Sequence, residues 1–146
     1  MNKEPTAMDE EFDKLFIIET EDCDVYKISE GILVYIGRCD QFTSMGFIEL
    51  DKNKETDKRS RPADGFFKQT EGKIKITVFE EDKTEEKILS TGETMKIDAN
   101  KEYIISNLSD GKALTSWRFD GDIREALEQI KKKCEKVSVL ARPKSG

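Results

Sequence analysis

The 146 residues carry a net charge of −6, with 38% charged and 36% hydrophobic residues, which is enough apolar matter for one domain around a single core. That acidic balance argues against nucleic-acid binding by bulk charge, and no apolar run approaches the ~20 residues that cross a bilayer. Histidine is absent, which removes the commonest general base and the commonest metal ligand together.

In chain order, residues 1–12 are acidic, lack the apolar core of a signal peptide, and are expected to form a disordered lead-in. Residues 13–121 read as strands: the runs "VYKI", "GILVYIG", "FTSMGFIEL", "GFFKQ", "KIKITVF", "KILS", "TMKI", "EYIISN" and "ALTSWRF" are broken by short polar turns. An earlier run, "KLFIIE", has the same character. The long break "KNKETDKRSRPAD" is charged and contains proline, so a mobile surface loop is expected there. Over 122–138, Ile123, Ala126, Leu127, Ile130, Cys134 and Val137 recur at helical spacing, with Asp120 or Asp122 placed to cap the start. That predicts one amphipathic helix packed on the barrel, followed by a frayed tail over 139–146. Cys23, Cys39 and Cys134 are far apart and odd in number, which points to a reducing compartment, cytosol or nucleus.

The stretch "ILSTGETMKIDANKEYIISN" (88–107) holds a spaced motif. Gly92, Asp98, Asn100, Tyr103 and Asn107 keep the intervals of a Gly, Pro, Gly, His, Asn pattern, with Asn100 at the turn glycine and Tyr103 at the metal histidine. Upstream, Arg59, Arg61, Gly65 and Gly72 occupy the intervals of a His, His, Glu, Gly pattern. These are the two motifs of the cupin family, which the chain resembles over Arg59 to Asn107. The resemblance implies an all-β fold, the cupin double-stranded β-helix or jelly-roll barrel, here with one C-terminal helix. It places Arg59, Arg61, Gly65 and Tyr103 in the four ligand seats. Guanidinium does not ligate a metal and glycine has no side chain, so no metal and no other cofactor is expected.

The wording "ILSTGETMKIDANKEYIISNL" is also similar to the C-terminal cupin of the centromere protein C family, with weaker likeness over residues 25–119. That resemblance implies a non-catalytic homodimerisation and protein-docking module of an inner-kinetochore scaffold. Its partners would be a second copy and other centromere or kinetochore proteins. Chromatin would be reached only through other regions of a longer chain, in the nucleus, with no membrane contact. Two other readings stay open: a metal-independent cupin enzyme, and a cupin that binds a small ligand inside its barrel.

Strand alternation adds a further expectation. If Gly65 and Tyr103 point inward, Phe67 and Ile105 do too, while Phe66 and Ile104 point outward. Apolar residues on both faces mean that something covers the outside, either the helix or a second subunit. Phe66 and Ile104, on strands taken to be close together and rimmed by Lys68 and Lys101, are the expected dimer interface. Trp117 and Phe119 are expected in the core. Arg59 and Arg61 could hold an anion if they turn into the barrel.

Overall fold

The computed structural model describes residues 18–137. The lead-in over 1–12, most of "KLFIIE" and the tail over 139–146 lie outside the described residues. A short 3-10 turn, Thr20–Asp22, leads into β1 (Asp24–Ser29), β2 (Ile32–Cys39), β3 (Thr43–Leu50), β4 (Asp64–Glu71), β5 (Ile74–Phe79), β6 (Thr84–Leu89), β7 (Thr94–Ile97), β8 (Glu102–Asn107) and β9 (Ala113–Asp120). The helix α1 (Arg124–Lys133) follows, and then a last strand, β10 (Glu135–Val137).

Two sheets face each other. The described strands order as β10-β1-β2-β3-β9-β4-β7 in one and β6-β5-β8 in the other. All strand pairings among the described residues are antiparallel, as short polar turns between alternating runs allow. In β5 the alternation is complete: Ile74, Ile76 and Val78 are buried while Lys75, Thr77 and Phe79 are half-buried. Each buried set points between the sheets and joins one core with Ile48, Phe67, Leu89, Ile105, Trp117 and Phe119.

The outside of the larger sheet is partly a core of its own. Tyr35, Phe47, Val25 and Cys23 are buried there, with Ile18 packed on them from the segment before the 3-10 turn. The chain therefore covers part of this face itself. Helix α1 lies elsewhere, because its Leu127 and the cap residue Ile123 join the inner cluster with Ile32, Val34 and Ile36 of β2. It closes the interior and leaves the outer faces alone.

Two local expectations change. The helix is shorter than 122–138: Asp122 Oδ1 accepts from the Arg124 N–H at 3.1 Å at the start, and helical backbone ends at Cys134, whose φ and ψ are extended. Glu135–Val137 instead hydrogen-bonds to β1, a free sheet edge that a helix could not satisfy. The charged break at 52–63 is tied down as well. It runs beside β8 through bridges at Glu55–Ser106 and Arg59–Tyr103, with Thr56 buried and its N–H donating to Ile105 O at 2.9 Å. Backbone groups make those bonds whatever the side chains, so charge and proline content misread this segment. Among the described residues, no helix is long and apolar enough to cross a membrane.

Candidate functional site at the barrel mouth

Of the degenerate motif positions, Arg59, Arg61 and Tyr103 line the barrel interior and its mouth, and Gly65 is buried beside them. Tyr103 on β8 is buried, with its ring edge-on to Phe67 at 5.6 Å; Phe67 meets Phe119 at 5.9 Å in the same way. Burial pushes the Tyr103 hydroxyl pKa up, opposed by the charges of Arg61 and Arg59. Gly65 on β4 is buried opposite Ile97 of β7, and a Cβ there would lie 2.7 Å from the Phe119 ring. A carboxylate in this seat would have to displace that ring.

Arg59 and Arg61 reach the site from the 55–61 segment. The Tyr103 N–H donates to Arg59 O at 2.8 Å and the Asn100 N–H donates to Arg61 O at 2.7 Å, which fixes both backbones against β8 and its preceding turn. Burial pushes the Arg61 guanidinium pKa down; Tyr103 opposes this and Arg59 adds to it.

The remaining motif positions are structural. Gly72, Gly92 and Asn100 all have left-handed φ, at 77°, 91° and 67°, in the turns after β4, β6 and β7. Asparagine tolerates this region better than other side chains, so Asn100 can stand where the pattern has glycine. Asn107 is buried, and its Nδ2 donates to Leu50 O, Asp51 O and Gly111 O at 3.0, 3.0 and 2.8 Å. Its Oδ1 accepts from the Ser109 N–H at 2.7 Å. It ties the end of β8 to the end of β3 and to the turn before β9. Sequence reasoning marked the position through its spacing but missed this role.

The interior cavity is small, about 30 Å³. Arg59, Arg61, Tyr103 and Trp117 line it, and Ile123, just before α1, with Leu127 and Ile130 of α1 close it. That volume has room for a few water molecules. A metal does not fit the seats: two guanidiniums, a phenol above its usual pKa and a glycine offer no ligand set. Among the described residues no cluster of three or more His, Cys, Asp or Glu could hold an ion. Elemental analysis of the purified protein is therefore expected to find no stoichiometric iron, zinc or manganese; one equivalent of any of them would refute this assignment of the seats.

The expected interface residues do not meet. Phe66 and Lys68 lie on the outer side of β4 in the larger sheet, and Ile104 lies on the outer side of β8 in the smaller one. Outer faces of opposed sheets point away from each other, so Phe66 and Ile104 belong to two surfaces. Spacing within a strand shows which face a residue takes, but strand order decides which sheet it belongs to. Lys101, expected on the rim, pairs with Glu80 at 2.6 Å. Lys96 sits over the Phe66 ring at 5.9 Å.

No protein-family model matches the chain and no curated protein matches it. Its likenesses are to solved structures. An RmlC-like cupin from Shewanella frigidimarina superposes with a TM-score of 0.62 at 13% identity, over 75% of this chain and 93% of that one. An oxalate oxidase does so with a TM-score of 0.58 at 16% identity, over 62% of this chain; the match spans only about half, 51%, of the oxidase. Drosophila melanogaster CENP-C, solved bound to CAL1, gives a TM-score of 0.57 at 15% identity, over 65% of this chain and 76% of that one. The oxidase corrects one expectation. The resemblance implied that the domain is not an enzyme, but the same fold carries an oxidase, so fold gives no ground for excluding catalysis. At these identities the comparisons establish architecture: the chain has the cupin fold, an antiparallel β-barrel carrying one C-terminal helix.

Proposed function

We propose that this chain is a self-associating, protein-docking module of an inner-kinetochore scaffold, of the kind centromere protein C provides. In that role it works in the nucleus at the centromere, pairs with a second copy, binds other centromere proteins, and reaches chromatin only through other regions of a longer chain. Two likenesses support the reading: the 88–108 stretch is worded like that family, and a CENP-C solved with a protein partner has the same fold.

One observation carries it, the isoleucines on the outer face of the smaller sheet. Ile88 of β6 is opposite Lys75 of β5, and Ile104 of β8 is opposite Thr77, so the two isoleucines share the outward side. Ile88 is 54% exposed, Ile104 half-buried, and Leu108, just past β8, 45% exposed. Lys75 and Glu86 pair on the same face at 2.8 Å, giving polar groups of both signs beside the isoleucines. A face with apolar centres and both charges can be self-complementary about a two-fold axis.

Sedimentation of the wild type and of two variants tests this. A homodimer is expected at tens of micromolar. Ile104→Arg should give a folded monomer, since each charge would be buried unpaired at a hot spot worth ~2 kcal/mol or more. Phe66→Arg, on the other surface, should leave the dimer intact. The opposite result would move the interface to the larger sheet. A wild-type monomer would end the self-association reading. In the scaffold role, doubling the chain turns two weak chromatin-binding arms into one avid unit.

A further inference from the structure

The arginines of the described residues divide into two kinds. Arg38, Arg118 and Arg124 each contact an aspartate, Asp40, Asp120 and Asp122, at 3.1, 2.7 and 2.8 Å. Arg59 and Arg61 form no ion pair among the described residues, and the one side-chain hydrogen bond between them runs from Arg61 Nη1 to Ser60 O at 3.1 Å. Yet these two are the half-buried pair at the barrel mouth, where an unpaired guanidinium is least favourable. They are two residues apart on the extended 55–61 segment, so they share a side, and each lines both the interior cavity and a groove outside it.

That groove holds about 410 Å³ between the segment and α1. Gln129 and Lys133 project into it from the helix, Ile130 supplies an apolar wall, and Asp57 is its one carboxylate. Three cations against one carboxylate leave a local charge near +2 in a chain whose net charge is −6. A guanidinium presents planar paired donors that match the oxygens of a phosphate, and two side by side repel until an anion separates them. A dianion balances this charge better than a monoanion does.

We propose that the groove between α1 and the 55–61 segment binds a phosphate monoester, its oxygens on Arg59 and Arg61 with Lys133 as third cation and its organic part against Ile130. The ester is either a free small molecule or a phosphorylated side chain of a partner protein. Neither depends on self-association, since every residue named belongs to one protomer.

The test is an NMR titration of the whole chain with phenyl phosphate, read at the backbone amides of the groove and at the arginine Nε groups. Saturable shifts are expected at Arg59, Arg61, Gln129 and Lys133. Arg61→Gln and Arg59→Gln should each weaken binding about tenfold or more, the loss of one charge-assisted contact. Arg118→Gln, away from the groove, should leave it unchanged. Benzoate, a monoanion of similar body, should bind more weakly. A phosphoserine peptide that binds more tightly than phenyl phosphate would assign the source to a partner protein; the reverse order would assign it to a small molecule. No saturation at millimolar phenyl phosphate, equal binding by both arginine variants, or benzoate binding as well as phenyl phosphate would each overturn the proposal.

Discussion

Replacing Asn107 by alanine is expected to destabilise the fold by about 3 kcal/mol or more. The deletion leaves the carbonyls of Leu50, Asp51 and Gly111 without their shared donor and the Ser109 N–H without its acceptor. The site is buried, so water cannot readily replace those bonds. For a domain of this size the melting temperature should fall by about 10 °C. Asn107→Asp separates the two halves of the network. It keeps an acceptor for Ser109 but loses every donor and buries a charge, so it should be at least as damaging near neutral pH. Thermal and chemical denaturation of both variants provides the check. A loss below about 1 kcal/mol for alanine would show that the network is not a fixed part of the native state.

Leu127→Ala should cost roughly 2–5 kcal/mol. Leu127 is 2% exposed and lies in the inner core with Ile123 and Trp117, so its truncation enlarges the small cavity. The measured value reports how far α1 can settle into the space. An effect below about half a kcal/mol would mean that the helix is not held by the barrel. The same variant bears on the groove, because α1 supplies Gln129, Ile130 and Lys133 to it. A loosened helix should weaken phenyl phosphate binding as well as stability.

The strands were legible because a strand writes its two faces at period two, and in β5 and β8 one face is buried throughout. With Gly65 and Tyr103 taken as inward-facing ligand seats, that alternation placed Phe67 and Ile105 inside, and Phe66 and Ile104 outside. The helix start was legible to within two residues: Asp122, expected as the cap, lies just before the cap position Ile123 and accepts from the Arg124 N–H. Its end was not, since Cys134 and Val137 continue the helical apolar period, yet Glu135–Val137 pairs as a strand with the open edge of β1. The pinning of 52–63 along β8 was invisible for a related reason: it rests on backbone bonds, which no side-chain pattern encodes.

The candidate sites divide in the same way. Spacing singled out Arg59, Arg61, Tyr103 and Asn107, and the chemistry of those side chains argued against a metal in the ligand seats. By itself, the sequence determined which face Phe67 and Ile105 take relative to Gly65 and Tyr103, that Asn100 stands where a turn needs left-handed backbone, and that the seats hold no metal-ligand set. The tertiary structure alone decided that Phe66 and Ile104 lie on opposite surfaces and that two arginines meet a helix some 70 residues downstream. The physical reason is range. Alternation, turn geometry and ligand chemistry act between neighbours in the chain, whereas sheet order and helix docking are settled by hydrogen bonds and burial between segments far apart in it.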